Sequence, residues 1–250
     1  MNLHLSGKKA VVTGASQGLG RAITKELALE GVEVLAVARE EAALQEMKEE
    51  VIRAGGIAPQ LLSQDFTAAD GPQKIADAAF DRLKQVDILV NNAGRSQALD
   101  VIGSDEAWEA SLTLDFTQHR RLTQLILPHF MERKEGVILN LASTYELRSV
   151  NASAVAKASL IVWAKQLASQ LAPYGIRVNS IQPGIIDSAQ IRRLFPGEER
   201  KKFAEREIPM GDFGKPEDIA NMATFLVSPR AAYVTGTVAV VDGGMRRYAF

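Results

Sequence analysis

The sequence contains no cysteine, which excludes disulfide bonds, thiolate nucleophiles and cysteine-ligated metal sites. It has only three histidines in 250 residues, and no carboxylate cluster stands at ligand spacing, so we predict no metal site. The formal net charge is −1, which leaves no basic field for nucleic acid or for an anionic membrane. The expected partners are therefore small molecules or other copies of the chain.

Long apolar runs are also missing. No stretch approaches the roughly 18 apolar residues of a membrane-spanning helix, and residues 1–9 lack the apolar core of a secretory signal. The absence of cysteine fits a reducing compartment, so we expect a cytoplasmic protein. The sequence has no linker, repeat or low-complexity stretch, which predicts one domain over residues 1–250.

The strongest local pattern is the glycine-rich stretch 13–20, Thr-Gly-Ala-Ser-Gln-Gly-Leu-Gly. It follows the apolar run 10–12 and precedes apolar residues at helical spacing, which predicts a strand-to-helix turn. Gly14 permits a tight bend, Gly18 lets the backbone approach a ligand, and Gly20 lets the helix pack close to the strand. Because a helix N-terminus offers unpaired N–H groups and a positive dipole end, the expected ligand is a pyrophosphate, the alternative being a turn without a ligand.

A second apolar run, residues 32–38, predicts a buried parallel strand, and Arg39 follows it directly. In a dinucleotide-binding fold, an acidic residue near this point bonds the ribose 2′-hydroxyl of NAD, whereas an arginine pairs with the 2′-phosphate of NADP. Arg39 therefore favours NADP(H) over NAD(H), the alternative being a surface arginine beside Glu40 and Glu41.

The rest of the chain continues to alternate between strand-like and helix-like segments, which predicts a doubly wound Rossmann-type α/β domain with about seven parallel strands and helices on both faces. Further strands are expected around 57–62, 86–90, 137–141, 176–181 and 238–241, and one long helical segment is expected at 105–133. Residues 187–212 are charged and interrupted by prolines, which predicts an irregular, mobile lid over the site.

Ligands of such sheets bind beyond the carboxyl ends of the strands. Several of the residues singled out by their type or pattern follow a predicted strand end, so we expect them to form one site. They are the glycine-rich turn, Arg39, Asp65, Asn92, Ser143 and Pro183-Gly184.

Together these features resemble the short-chain dehydrogenase/reductase family from about Leu5 to Gly244. The resemblance rests on the glycine-rich turn, on Asn-Asn-Ala-Gly at 91–94, on Val178-Asn179 with Pro183-Gly184, and on the tail 241–244. It implies an NADP(H)-dependent oxidoreductase that interconverts a ketone and a secondary alcohol, similar to 3-oxoacyl reductases. It also implies a homotetramer or homodimer.

The resemblance implies cofactor contacts residue by residue. For the pyrophosphate and nearby ribose these are Gly14, Ser16, Gln17, Gly18, Leu19 and Gly20; for the adenine, Asp65 and Phe66; for the riboses, Asn92 with Ala93 and Gly94, and Lys157; for the carboxamide end, Pro183, Gly184, Ile186 and Ser188.

This chain departs from the catalytic residue pattern of the family. Family members use an Asn, a Ser, and a Tyr and Lys in a Tyr-x-x-x-Lys pattern. Ser143 matches the serine and Lys157 the lysine, but Ser153 stands at the tyrosine position and Asp115 at the asparagine position. Hydride transfer to a carbonyl leaves an oxyanion that needs a proton donor, and a serine hydroxyl is a far weaker acid than a phenol.

Three residues are candidate proton donors. Tyr145, two residues after Ser143, is favoured because it supplies a phenol near the same strand end. Ser153 is the second, relaying a proton from Lys157 through water. Asp115 is the third, as an acid that shares its proton if burial raises its pKa.

Other interpretations stay open at this point. Asp115 and His119 are four residues apart on a predicted helix and are expected to share a face, so they are candidates for a pair. The loss of both the tyrosine and the asparagine also permits a dinucleotide-binding sensor or scaffold without turnover. A lyase or isomerase with Asp115 or Lys157 as base is the remaining alternative.

Overall fold

The computed structural model describes residues 2–96, 98–143, 149–194 and 196–247. Its centre is a seven-stranded parallel sheet with the strand order β3-β2-β1-β4-β5-β6-β7, which confirms the predicted sheet. The strands are β1 (Lys9–Thr13), β2 (Glu33–Ala38), β3 (Gln60–Ser63), β4 (Ile88–Asn91), β5 (Gly136–Leu141), β6 (Ile176–Pro183) and β7 (Val238–Val241).

Helices cover both faces of the sheet. Because successive side chains of a strand point to opposite faces, Val12 of β1 packs into one hydrophobic core and Val11 into the other. The first core lies under α1 (Gly18–Leu29), α2 (Glu41–Arg53) and α9 (Pro216–Val227). The second lies under α3 (Gly71–Leu83), α5 (Gln118–Arg133) and α6 (Ala152–Leu171). Three further helices are α4 (Asp105–Leu112), α7 (Ala189–Leu194) and α8 (Glu198–Glu207).

The strand order reverses at the centre of the sheet. β1 pairs with β2 on one side and with β4 on the other, so the chain leaves β1 in one direction and later returns to its opposite edge. A crevice forms at such a switch point beyond the carboxyl ends of the strands. The fold therefore places the glycine-rich turn after β1 and the Asn-Asn-Ala-Gly segment after β4 side by side.

Two parts of the chain differ from the expectation in detail. The segment 187–212 was expected to be irregular, which is wrong, because it contains α7 and α8. Pro196 and Pro209 stand outside α8 and bracket it, and Glu198 and Glu199 begin it, where acidic residues favour a helix. The long helical segment 105–133 is confirmed but is interrupted by a π-helical turn (Thr113–Thr117) between α4 and α5.

None of the helices in the described ranges has both the length and the apolar character needed to cross a membrane.

Candidate active site

The glycine-rich turn opens onto free space. Gln17 precedes α1 but its side chain makes no capping hydrogen bond, so it leaves the first-turn N–H groups of the helix uncapped. Gly18 has a φ of +54°, and a Cβ atom built there meets no atom within 4 Å. The uncapped helix end and the open space in front of it fit a bound pyrophosphate.

The other two glycines of this turn are required by packing. A Cβ on Gly20 would overlap the carbonyl oxygen of Gly14, and a Cβ on Gly14 would lie 2.9 Å from the Cα of Ala93. Asn92 ties the two strand ends together, because its Nδ2 donates to the carbonyl oxygens of Thr13 at 2.8 Å and of Gly14 at 3.2 Å. Its amide nitrogen is thus committed to shaping the turn.

Arg39 and Asp65 lie at the ends of β2 and β3. Both side chains are exposed. Hydrogen bonds from the hydroxyl and the backbone N–H of Thr67, both 2.8 Å, lower the pKa of Asp65, and the positive charge of Arg39 acts in the same direction. The ring of Phe66 is buried and packs against an imidazole of α5, so this side chain faces the core.

Two helices bring a group of polar side chains together. Asn151 caps α6 by accepting the backbone N–H of Ala154 at 3.0 Å, and this start of the helix places Ser153 and Lys157 one turn apart on the same face. Asp115 belongs to the π-helical turn between α4 and α5. Turns of this kind interrupt helices frequently at functional sites.

The contacts in this group centre on the carboxyl of Asp115. Its Oδ2 is 2.8 Å from the Oγ of Ser153, and its Oδ1 is 4.0 Å from the Nζ of Lys157 and accepts the backbone N–H of Arg95 at 3.3 Å. The Oγ of Ser153 also donates to the carbonyl oxygen of Arg95. A Cβ on Gly94 would overlap Asp115 Oδ1, so glycine is needed there for the group to assemble.

Burial acts on both charges of this group. The side chain of Asp115 is 0% exposed, and burial raises its pKa, although the nearby charge of Lys157 and the Ser153 contact oppose the rise. Burial also lowers the pKa of Lys157, against the opposing effect of Asp115. The condition set for Asp115 as a proton donor, a pKa raised by burial, is thus met in direction, and its role as a donor stays a prediction.

The predicted pair between Asp115 and His119 is wrong. His119 Nε2 lies 2.7 Å from the carbonyl oxygen of Ala93, and its Nδ1 has no hydrogen-bond partner within the described part of the chain. The wider π-helical turn changes the angular spacing, so residues four apart are no longer aligned. Burial lowers the pKa of His119 to about 3, so the ring is neutral and its Nε2–H donates to Ala93.

Ser143 follows β5 by two residues and is half-buried at the same edge of the sheet. Tyr145 falls within 144–148 and lies outside the described residues. Of the three candidate proton donors, the structure therefore describes Asp115 and Ser153.

The end of β6 forms the far side of this edge. The backbone N–H of Gly184 donates to Val241 at 2.9 Å, and Ile186 is 7% exposed. The Oγ of Ser188 accepts the backbone N–H of Ile191 at 3.3 Å, at the start of α7. Gly184, Ile186 and Ser188 thus extend this side of the site from the sheet into the 187–212 segment.

Sequence reasoning missed the role of Asp187. Its carboxylate accepts hydrogen bonds from Arg200 at 2.6 Å and from Arg192 at 2.9 Å, and these bonds lower its pKa to about 2. Asp187 thereby ties α7 and α8 to the end of β6. The only signal of this pair in the sequence is the spacing of five residues between Asp187 and Arg192.

Comparisons with known proteins show which family this chain resembles. A family model described as enoyl-(acyl carrier protein) reductase matches residues 14–246. A 3-oxoacyl-[acyl-carrier-protein] reductase from Thermotoga maritima is 33% identical over 248 residues, which cover 97% of this chain and 99% of the relative. The 3beta-hydroxysteroid dehydrogenase 1 of Eggerthella lenta is 38% identical over 250 residues, covering 98% of this chain and 95% of the relative.

Solved structures show the same fold. The structure of L-sorbose reductase from Gluconobacter frateurii, in complex with NADPH and L-sorbose, superposes with a TM-score of 0.92 at 30% sequence identity. The match covers 99% of this chain and 100% of that one. The motifs, the parallel sheet and these relatives agree, and the chain belongs to the short-chain dehydrogenase/reductase family.

Proposed function

We propose that this protein is an NADP(H)-dependent oxidoreductase that interconverts a ketone and a secondary alcohol. One observation carries the proposal. The segment 92–94 contacts Gly14 of the glycine-rich turn at one end and lies against the Asp115 and Lys157 side chains at the other. The open helix end and the buried polar group are therefore neighbours, as a dinucleotide-dependent reaction requires.

The cofactor would lie across the carboxyl ends of β1, β2 and β4. The first turn of α1 would hold the pyrophosphate, Arg39 would pair with the 2′-phosphate, and Lys157 would bind the nicotinamide ribose. The bound dinucleotide supplies the hydride in reduction and accepts it in oxidation. The full set of proposed cofactor contacts is Gly14, Ser16, Gln17, Gly18, Leu19, Gly20, Arg39, Asp65, Phe66, Asn92, Ala93, Gly94, Lys157, Pro183, Gly184, Ile186 and Ser188.

The side chains of the site would act on the carbonyl oxygen of the substrate. During reduction this oxygen gains negative charge and then a proton. The hydroxyl of Ser143 would hydrogen-bond the oxygen and orient it, and the ammonium of Lys157 would stabilise the developing charge. The names of the relatives support a carbonyl or secondary alcohol substrate, since they describe a 3-oxoacyl reductase, a hydroxysteroid dehydrogenase and a sugar reductase.

We also propose that residues 187–212 cover the substrate. Asp187 anchors two helices of this segment beside the carboxyl end of β6, through Arg192 and Arg200. The cover is thus attached to the wall of the site.

The protein is further proposed to assemble as a homotetramer or homodimer. Val155 and Val162 lie two turns apart on one face of α6 and are 51% and 61% exposed. A second copy would remove this apolar face from water. Light scattering coupled to gel filtration measures the assembly, and a monomeric mass would contradict the proposal.

Cofactor preference is tested by measuring the affinities for NADPH and NADH in wild type and in Arg39→Ala. Loss of a charge-assisted pair with the 2′-phosphate predicts NADPH affinity about 10–100-fold lower, with NADH affinity unchanged. Arg53→Ala is the matched control, because Arg53 is an exposed arginine at the far end of α2. Equal NADPH affinity in Arg39→Ala and Arg53→Ala would contradict the assignment.

Turnover is tested by NADPH oxidation with a panel of ketones, β-keto esters and quinones. We expect oxidation with at least one compound, and a large loss of rate in Ser143→Ala with cofactor affinity retained. Tight NADPH binding without oxidation of any compound would instead indicate a sensor or scaffold. Conversion of a substrate without net NADPH oxidation would indicate a lyase or isomerase.

A further inference from the structure

The hydroxyl of Ser153 has two oxygen atoms within hydrogen-bonding distance but only one proton. These atoms are the carbonyl oxygen of Arg95 and Oδ2 of Asp115. A backbone carbonyl has no hydrogen, so the contact with Arg95 uses the proton of Ser153. With that proton committed to Arg95, the 2.8 Å contact between Ser153 Oγ and Asp115 Oδ2 is accounted for when its hydrogen comes from the carboxyl group.

The surroundings of Asp115 agree with a protonated carboxyl. Its other oxygen, Oδ1, accepts the backbone N–H of Arg95, a bond that the carbonyl oxygen of a carboxylic acid can accept, although the bond itself acts to lower the pKa of Asp115. The Nζ of Lys157 is 4.0 Å from Oδ1, which is beyond hydrogen-bond length. His119, in the next helical turn, is neutral and donates to Ala93. Burial has the largest effect and raises the pKa of Asp115, whereas the positive charges of Lys157 and Arg95, among the described residues, act to lower it.

We propose that Asp115 is a protonated carboxylic acid in the resting protein and that it supplies the proton of the reaction through Ser153, in place of a phenol. This inference rests on the proposed function. In reduction, hydride addition moves the carbonyl π electrons onto oxygen. The oxygen takes the Ser153 proton, and Ser153 Oγ takes the proton of Asp115. The Asp115 carboxylate that remains is stabilised by the ammonium of Lys157 and regains a proton from solvent.

The protonation of Asp115 is measured without any substrate. The carboxyl carbons of aspartate are labelled with ¹³C, and the Asp115 resonance is assigned by its absence in Asp115→Asn. Asparagine keeps a donor for Ser153 and the same shape, so this variant is expected to fold. We expect the Asp115 resonance to keep its protonated position at about pH 6, where ordinary aspartates are ionised. An ordinary titration midpoint would overturn the proposal.

Ser153→Ala shows which partner donates the proton. If Asp115 donates to Ser153, removal of the hydroxyl destabilises the protonated carboxyl, and the pKa of Asp115 falls. If Ser153 donates to an ionised carboxylate, the same change makes that pKa rise, which would overturn the proposal. Ser159→Ala is the matched control, because the Ser159 hydroxyl lies on the exposed side of the same helix and bonds only to Val155 at 3.2 Å within the described residues. It should leave the Asp115 resonance unchanged.

The rate of reduction gives the functional readout. With Asp115 as the acid, turnover falls as pH rises through its titration midpoint. In Asp115→Asn this fall should be absent, and turnover at low pH should be at least about 100-fold lower than in wild type. An unchanged alkaline fall in Asp115→Asn, with turnover abolished by Tyr145→Phe, would overturn the relay. If no ketone is reduced while the resonance remains protonated, the proposed function fails and the protonated carboxyl stands.

Discussion

Replacement of Gly18 by alanine separates the stability of the fold from cofactor binding. A Cβ at this position meets no protein atom within 4 Å, so the cost to the fold comes only from the φ of +54°. An L-residue in this left-handed region costs about 1 kcal/mol. For a domain of this size that lowers the Tm by about 2–4 °C.

The chain offers a matched control for this cost. Gly7 has a φ of +77° and also meets nothing within 4 Å, but it precedes β1 and so lies at the opposite edge of the sheet. Gly7→Ala and Gly18→Ala should therefore lose similar stability. Only the Gly18 methyl group enters the space proposed for the pyrophosphate.

The difference appears in a fluorescence titration with NADPH. Loss of one hydrogen bond to a charged group costs about 1.5–3 kcal/mol, which corresponds to roughly 10–100-fold weaker binding. We expect this loss in Gly18→Ala and wild-type affinity in Gly7→Ala. Equal NADPH affinity in the two variants, with equal losses of Tm, would refute the assignment of the turn as the pyrophosphate site.

Three other residues give independent predictions. Gly20→Ala forces a Cβ into the backbone oxygen of Gly14, so urea unfolding should show a loss of roughly 1–3 kcal/mol, and wild-type stability would contradict the packing. Asp87 is 3% exposed and pairs with Arg133 at 2.8 Å, so Asp87→Asn should cost about 3 kcal/mol at neutral pH. Burial acts to raise the pKa of Asp87, but the hydrogen bonds from Arg133 and its other donors outweigh burial and hold that pKa low. Because protonation of Asp87 then weakens the wild-type pair, the difference in free energy of unfolding between wild type and Asp87→Asn should shrink below about pH 4. The imidazole of His119 has a pKa of about 3, so it should show no NMR titration near pH 6.5, the ordinary pKa of histidine. The stability that the neutral ring contributes is lost as pH falls from about 6.5 toward 3.

The strand ends were predictable because they depend on local chemistry. Buried parallel strands have apolar sequences, as in residues 32–38, and the glycine-rich stretch predicts the turn that follows β1. Once the sheet is parallel, the residues after each strand must meet at one edge. Arg39 and Ser143 were located in this way, without knowledge of any contact.

The internal geometry of the site was not predictable from residue types. The direction of the hydrogen bond between Ser153 and Asp115 depends on the carbonyl oxygen of Arg95, and the position of a backbone carbonyl cannot be read from a sequence. The π-helical turn that aims Asp115 has no distinctive composition, so the expected pair with His119 was wrong. The helix α8 was missed because its prolines were taken as interruptions when they stand outside it.

The most direct test of the proposed hydride transfer is transfer of deuterium from NADPH that carries deuterium at both positions of the reactive nicotinamide carbon. A ketone that supports NADPH oxidation is incubated with the labelled cofactor, and the alcohol is analysed by mass spectrometry. We expect one deuterium on the carbinol carbon of the product. Oxidation of the cofactor without deuterium in the alcohol, or cofactor binding with no alcohol formed from any ketone, would contradict the proposed hydride transfer.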